Sequence, residues 1–183
     1  MNLKYRVIDM TRLLPGGLAT MLLGQLGATI IKVEDIERGD YSRQTTQNVF
    51  KLLNRGERSV TINLKSDKGR EIFCKLVKNS DILLEGFRPG IAKLLGVDYV
   101  TLSKINRSLV YCSISGYGQS GEYRELVGHD LNYVAMSGLL SPELSKSNPS
   151  VLPVPLADTG GALVAVVGIL AKLLSGSGGY IDV

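Results

Sequence analysis

Short apolar runs alternate with amphipathic segments along the whole 183-residue chain. Five runs have the length and the β-branched content of buried strands: residues 6–10, 29–34, 59–64, 81–85 and 109–114. The segments between them favour helices at residues 18–26, 68–78, 91–95, 99–105, 130–136 and 161–174. A final run at residues 180–183 predicts the beginning of one more strand.

The first three elements predict the fold class. A turn at Pro15-Gly16-Gly17 precedes the helix at 18–26, Gly27 ends that helix, and strand-like runs stand on either side. Strand, helix and strand within about 30 residues form a βαβ unit, whose two strands pair in parallel. We therefore predict one α/β domain that is Rossmann-like, with a mostly parallel sheet and helices on both faces.

A nicotinamide site is not expected in this unit. Glu34 ends the second strand, where dinucleotide-binding folds place an acid that contacts the ribose. The first turn, residues 11–17, lacks the glycine spacing that lets a backbone approach a pyrophosphate. Two polar stretches predict irregular structure, a surface loop at 35–50 and a linker at 141–150 that leads into extended residues 151–155.

Charge and composition narrow the class of protein. The net charge of +4 comes without a block of Lys and Arg, which favours a small anionic ligand over nucleic acid. Cys74 and Cys112 lack the spacing of a metal or redox site and are expected to be free thiols in a reducing compartment. No signal-peptide pattern is visible, and the apolar run 162–174 is too short to span a bilayer. We expect a cytoplasmic protein, or one of an organelle matrix in a eukaryote, without a membrane span.

Two short segments carry the candidate chemistry. His129, the only histidine, lies at the beginning of a predicted helix, and histidine exchanges protons near neutral pH at low cost. Asp158 stands directly before Thr159-Gly160-Gly161 and a long apolar run, where it would face the positive end of a helix dipole. From the residues alone, His129 is equally a hydrogen-bonded structural residue, and Asp158 is first of all an N-cap.

Two loops follow predicted strands at their carboxyl ends, where open α/β sheets bind ligands. The first, residues 86–90, contains Arg88, which is either a ligand contact or a solvated cation. The second, residues 115–121, is rich in glycine but has neither a phosphate-binding Lys-Ser/Thr pair nor a nucleophile elbow. It fits both a mobile loop over a pocket and a plain connector.

Six segments in this order form a recognisable pattern: residues 26–34, 58–65, 85–90, 115–121, 128–133 and 157–161. Through them the chain resembles the N-terminal half of the class III coenzyme A transferase superfamily (CaiB/BaiF type), and within it most closely the alpha-methylacyl-CoA racemases. Members have a Rossmann-like large domain, form interlocked dimers and act on acyl-CoA thioesters. Residues 1–183 would be the N-terminal part of that CoA-binding domain, without its C-terminal part and the small domain. Because the chain stops within a strand, we expect it to be truncated.

The resemblance implies a racemase, which is an isomerase. His129 and Asp158 would flank C2 of a 2-methylacyl-CoA thioester and exchange its proton through an enolate. The resemblance assigns CoA binding to three stretches: Ile62, Asn63, Leu64 and Lys65; Gly86, Phe87 and Arg88; and Gly128, Asp130, Leu131, Asn132 and Tyr133. The CoA thioester is the substrate, so the resemblance implies neither a separate cofactor nor a metal, and it implies a homodimer.

Backbone N–H groups at the helix beginnings near residues 129–130 and 159–161 would suit the enolate oxygen. Asp35 and Leu94 stand where many relatives carry arginine, so we expect weaker CoA binding. Two alternatives stay open. One is a CoA transferase in which Asp158 is the acyl-accepting nucleophile. The other is an inactive or split half-protein that binds CoA.

Overall fold

The computed structural model describes residues 4–140 and 153–183. The strands in this part of the chain are β1 (Arg6–Met10), β2 (Thr29–Glu34), β3 (Arg58–Thr61), β4 (Ile82–Glu85), β5 (Val110–Ser113) and β6 (Gly179–Asp182). The helices are α1 (Leu13–Gln25), α2 (Ser42–Thr45), α3 (Gln47–Leu53), α4 (Asp67–Lys78), α5 (Ile91–Leu94), α6 (Tyr99–Leu102), α7 (Asp130–Met136) and α8 (Leu156–Leu174).

The six strands form one sheet in the order β3-β2-β1-β4-β5-β6, and every neighbouring pair is parallel. Alternate residues of the strands face opposite layers of helices. Val7 and Leu84 pack with α1 and α8 on one face, whereas Ile8 and Leu83 pack with Phe73 of α4 on the other. Because both faces of the central strands are covered, β4 and β5 are buried along their whole length. The predicted fold class is confirmed.

Helix α1 begins at Leu13, so the turn that we predicted at Pro15-Gly16-Gly17 is wrong. Proline is tolerated in a first turn because its missing N–H would have had no acceptor within the helix. Gly16 is buried, and a Cβ there would lie 2.1 Å from the side chain of Thr11. The glycine therefore lets the beginning of the helix lie directly against the end of β1.

The surface loop predicted at residues 35–50 is also wrong in part, because α2 and α3 form within and beyond it. Asp40 begins this region by accepting hydrogen bonds from the N–H (2.9 Å) and the hydroxyl (2.6 Å) of Ser42. Arg43 then reaches back to Glu34 at the end of β2, with 2.6 Å between Nη2 and Oε1. Both helices are short, with four and seven residues, so neither is long enough to show a clear apolar periodicity.

Helix α8 begins at Leu156 rather than Gly161, and its N-cap is Pro155. We predicted Asp158 to be the N-cap, and this is wrong, because Asp158 is the third residue of the helix. Strand β3 ends at Thr61, so residues 62–64 lie beyond it instead of inside it. The linker at 141–150 and residues 151–152 lie outside the described residues, and 153–155 precede α8 without regular structure.

By length and composition, the 19-residue helix α8 could cross a bilayer. The sequence analysis had predicted no membrane span, because it considered only the shorter apolar run 162–174. This is weak evidence, because core helices pass the same test. Here α8 connects β5 to β6 and buries Ala162, Ala165 and Ile169 against the sheet. That packing is typical of the crossover helix of a parallel sheet.

A buried ionic cluster joins β1, β2 and the beginning of α2. The ammonium of Lys32 lies 2.9 Å from Asp9 and 3.1 Å from Asp40, and it also donates to the carbonyl oxygen of Thr11 at 3.0 Å. Burial opposes the charge of Lys32, but the two carboxylates outweigh it and raise its pKa. The cluster fixes the chain at the point where β1 ends.

Glu57 lies close to this cluster and makes folding stability depend on pH. Burial, followed by the charge of Asp9, raises the pKa of Glu57 to about 7. One carboxyl oxygen accepts the hydroxyl of Thr20 at 2.9 Å, and the other is buried without a partner among the described residues. Because the pKa is raised on folding, only the folded state holds the proton between pH 4.5 and 7. Stability therefore falls as pH rises through that window and is level above it.

We expect Glu57→Gln to remove this fall, of which about 2–3 kcal/mol lies between pH 5 and pH 8 at roughly 1.4 kcal/mol per pKa unit. The amide oxygen still accepts the hydroxyl of Thr20, and no charge has to be buried. Urea unfolding at pH 5 and pH 8 measures the difference, with the exposed Glu37→Gln as control. A variant that loses as much stability between these pH values as the wild type would contradict this assignment.

Candidate active site

The sheet opens a cleft at the point where its strand order reverses. Strands β1 and β4 are neighbours, but the chain leaves them toward opposite edges of the sheet, so the loops behind them diverge. The cleft has a volume of about 490 Å³. Its walls come from residues 11–13 after β1, 86–89 after β4 and 114–116 after β5, and from the beginning of α8.

His129 and Asp158 both lie on the wall of this cleft. His129 directly precedes α7 and is exposed, whereas Asp158 lies in the first turn of α8 and is half-buried. The two helices pack against each other, which brings together residues that are distant in sequence. The structure therefore places the two candidate acid–base groups at one site.

The electrostatics of the cleft favour a protonatable Asp158. Burial, first, and then the negative charge of Asp130 raise the pKa of the Asp158 carboxyl, while His129 lowers it in part. A raised pKa brings a carboxyl closer to neutrality, so that it can both take and return a proton.

The segment from Gly128 to Tyr133 is braced by its own hydrogen bonds. The hydroxyl of Tyr133 donates to the carbonyl oxygen of Gly128 at 2.6 Å, and the side-chain oxygen of Asn132 accepts the N–H of His129 at 2.9 Å. The ring of Tyr133 packs edge to face on Tyr117, with centroids 5.2 Å apart. These contacts fix the backbone on both sides of His129.

Only part of this segment forms the cleft. Gly128, His129 and Tyr133 line it, but Asp130, Leu131 and Asn132 lie on neither cleft wall. Asp130 accepts the N–H of Asp158 at 3.0 Å, and Leu131 is exposed on the outer side of α7. The resemblance implied CoA contacts at all of these residues except His129, and in the structure Asp130, Leu131 and Asn132 line neither cleft.

The donors expected for an enolate oxygen at residues 159–161 are partly engaged. The N–H of Asp158 is bonded to Asp130, and the N–H of Thr159 donates to the carbonyl oxygen of Pro155 at 3.0 Å. Because α8 begins earlier than predicted, these groups are part of its first turn. Positive charge reaches the cleft instead from Arg12, Arg88 and Arg124, which line it.

A second cleft of about 390 Å³ adjoins the first and shares Thr11, Arg12 and Phe87 with it. Ile62, Asn63, Leu64 and Lys65 line this second cleft. So do Asp35 and Leu94, the two positions where the resemblance led us to expect weaker CoA binding. Because the clefts share a wall, one elongated ligand could occupy both.

Glu85, the last residue of β4, binds the backbone of the loop at residues 86–89, which lies between the two clefts. This buried carboxylate accepts the N–H of Phe87 at 2.7 Å and the hydroxyl of Ser113, and burial raises its pKa. Gly86, Phe87 and Arg88, all predicted as CoA contacts, line the first cleft above it. The sequence analysis did not single out Glu85, although a carboxylate that ends a buried strand was a usable signal.

Sequence reasoning also missed Arg12 and Arg124 in the first cleft. Arg12 follows the carboxyl end of β1, beside the reversal of strand order, so correct pairing of β1 with β4 would have indicated it. Arg124 lies in an irregular, exposed stretch where the sequence carries no comparable signal. Leu13, which also lines the first cleft, has a φ of 65°, a strained conformation for a residue with a side chain.

An all-parallel α/β sheet with a cleft at its strand reversal defines a protein that binds a small ligand at the carboxyl ends of its strands. The comparisons with known proteins narrow this class. The sequence profile of CoA-transferase family III matches residues 4–183. The chain belongs to this family, which confirms the resemblance.

Relatives within the family differ in the reaction that their names state. Human alpha-methylacyl-CoA racemase is 38% identical, with 96% of this chain and 46% of that protein covered. The acetyl-CoA:oxalate CoA-transferase of Acetobacter aceti is 37% identical, over 97% of this chain and 49% of that protein. A CaiB/BaiF family protein from Brucella suis has a TM-score of 0.90 and 33% identity, over 97% of this chain and 51% of its own. The chain spans about half the length of the curated relatives it matches.

Proposed function

We propose that the protein racemises 2-methylacyl-CoA thioesters at C2, using His129 and Asp158 as its two acid–base groups. The observation that carries this proposal is that both side chains line one cleft, where α7 and α8 pack together. Racemisation needs a base on one side of the carbon and an acid on the other. One group removes the C2 proton, and the other delivers a proton to the opposite face of the enolate.

The charge of the cleft supports the same chemistry. The enolate carries negative charge on the thioester oxygen, and CoA itself brings phosphate groups. Arg12, Arg88 and Arg124 set three cations against the one carboxylate among the lining residues, Asp158. Positive charge fixed at a partly dry site stabilises developing negative charge more than water does.

The adjoining cleft provides room for the remainder of a CoA thioester. Lys65 and Arg12 can face phosphate, and Ile62, Leu64 and Phe87 offer an apolar surface. Under this proposal Asp35 and Leu94 leave the second cleft with less positive charge than in arginine-bearing relatives. The homodimer and the cytoplasmic location that we expected stay predictions.

A second function is CoA transfer, which would need Asp158 but not His129. The transferases among the relatives support it. Here the Asp158 carboxylate would attack the acyl carbonyl of a CoA thioester, form a mixed anhydride and release the CoA thiolate. An acceptor carboxylate would then attack the donor acyl carbonyl of this anhydride, which frees Asp158 and forms a second anhydride. The CoA thiolate would attack the acceptor carbonyl of that anhydride, giving the acceptor-CoA thioester and the donor carboxylate. His129 would have no proton to exchange in this sequence of steps.

Deuterium uptake at C2 of a 2-methylacyl-CoA in D₂O, followed by mass spectrometry, tests the racemase. We expect His129→Ala to lower this uptake by about 10²- to 10⁴-fold, the usual contribution of a general acid–base group. CoA affinity, measured by calorimetry, should change little. The exposed Glu122→Ala on the neighbouring loop is the control.

The outcomes separate the two functions. Uptake that persists in both His129→Ala and Asp158→Ala would overturn the racemase. Hydroxylamine trapping with an acyl-CoA donor reports the anhydride directly, because a racemase forms none. A trapped adduct that survives in His129→Ala, together with no C2 exchange in the wild type, would establish transfer instead.

A further inference from the structure

We propose that Asp130 is a positioning residue that holds His129 and Asp158 at a fixed separation on the wall of the cleft. This inference rests on the proposed acid–base role of those two residues. It replaces the role expected from the resemblance, in which Asp130 contacts CoA.

The bond that carries the proposal joins two separate helices. Asp130 is the first residue of α7 and directly follows His129 in the chain. Its Oδ1 accepts the backbone N–H of Asp158, the third residue of α8, at 3.0 Å. One side chain therefore connects the backbone beside His129 to the backbone of Asp158, across 28 residues of sequence.

The bond also satisfies a donor that has no partner within its own helix. The first N–H groups of a helix lack intrahelical acceptors, and Asp158 lies in that first turn. A carboxylate near the N-terminal end of α8 is favoured by the helix dipole as well. Asp130 is partly buried and lies on neither cleft wall, so its contacts in the described chain are structural rather than with a ligand.

Asp130 acts on Asp158 by charge as well as by position. Its carboxylate raises the pKa of Asp158, second only to burial, while His129 lowers it. Among residues 4–140 and 153–183, the other charged or titratable groups on this cleft are Tyr41, Tyr133 and three arginines, Arg12, Arg88 and Arg124. None of them changes when Asp130 is replaced, so position and charge can be separated by two substitutions.

Asp130→Asn keeps an oxygen that accepts the N–H of Asp158 but removes the charge. We expect the Asp158 carboxyl to titrate at lower pH in this variant, followed by ¹³C NMR and assigned with Asp158→Asn. The acidic limb of the C2 exchange rate should move to lower pH with it, while the maximal rate stays within about threefold of the wild type, because the geometry on which orientation depends is retained.

Asp130→Ala removes both the charge and the bond. We expect its maximal exchange rate to fall by about 10- to 100-fold, the effect of a misplacement near 1 Å, and Asp130→Asn to restore most of it. Asp98 offers a matched control, because it caps α6 through the N–H of Thr101 at 3.2 Å and lies on neither cleft. Asp98→Asn and Asp98→Ala should leave both the titration of Asp158 and the exchange rate unchanged.

An Asp130→Ala variant that is folded by circular dichroism and exchanges at the wild-type rate would overturn the proposal. So would an Asp158 titration that is the same in Asp130→Asn and in the wild type. The NMR titration requires no catalysis. If the wild type does not exchange the C2 proton, the proposed racemase function is wrong. The NMR titration still tests whether Asp130 acts on Asp158.

Discussion

Asp158→Asn should lower C2 proton exchange by about 10²- to 10⁴-fold, because an amide can neither take nor return the proton. The substitution preserves the size of the side chain and the backbone N–H that bonds to Asp130. CoA affinity measured by calorimetry should therefore stay within about threefold, so that the loss falls on kcat rather than on binding.

The wild-type pH profile should carry the signature of the same carboxyl. Burial and Asp130 raise the pKa of Asp158. The acidic limb of the exchange-rate profile should therefore lie at higher pH than an ordinary aspartate would give. The base form, and with it the exchange that depends on it, increases as pH rises through that limb. Asp67→Asn is a matched control, since Asp67 is an exposed carboxylate in the first turn of another helix, α4. Exchange and hydroxylamine trapping that both persist in Asp158→Asn would remove Asp158 from either proposed reaction.

Lys32→Met should lower the free energy of unfolding by about 3–5 kcal/mol, the typical effect of removing one partner of a buried ion pair. Without the ammonium, the carboxylates of Asp9 and Asp40 are left buried without their cation, and the carbonyl oxygen of Thr11 loses a donor. Denaturant unfolding at neutral pH measures the change.

Lys75→Met provides the comparison for this effect. Lys75 pairs with Glu71 one turn away on the exposed side of α4, and such surface pairs contribute only about 0–1 kcal/mol. A Lys32→Met variant as stable as Lys75→Met would show that the buried cluster does not hold the end of β1. Because Thr11 lines both clefts, the substitution should also weaken ligand binding in the fraction that remains folded.

The strands and the fold class were predictable because parallel strands are buried on both faces. The central strands are therefore mainly apolar, and the βαβ unit that begins the chain fixes their direction. The helix boundaries were less predictable where tertiary contacts override local signals. At Pro15-Gly16-Gly17 the sequence indicates a turn, but burial against Thr11 makes these residues the beginning of α1.

The candidate site was predictable only through the order of its motifs. No local pattern connects His129 to Asp158; α7 and α8 must first pack together. The resemblance implied that both residues act at one site, and both line one cleft. It did not distinguish the residues that line the cleft from Asp130 and Asn132, which bond to the backbone of Asp158 and His129, because these hydrogen bonds are not encoded locally in the sequence.

The all-parallel sheet has a consequence for the order in which this chain can fold. Every strand pair needs a crossover, so the central pair of β1 and β4 joins residues that are 75 positions apart, as Val7 and Ile82 do. The beginning of α8 completes the cleft after more than 150 residues of chain. Contacts this distant in sequence slow folding. During synthesis on the ribosome, the scaffold of β1 to β4 can form well before the residues proposed for catalysis meet.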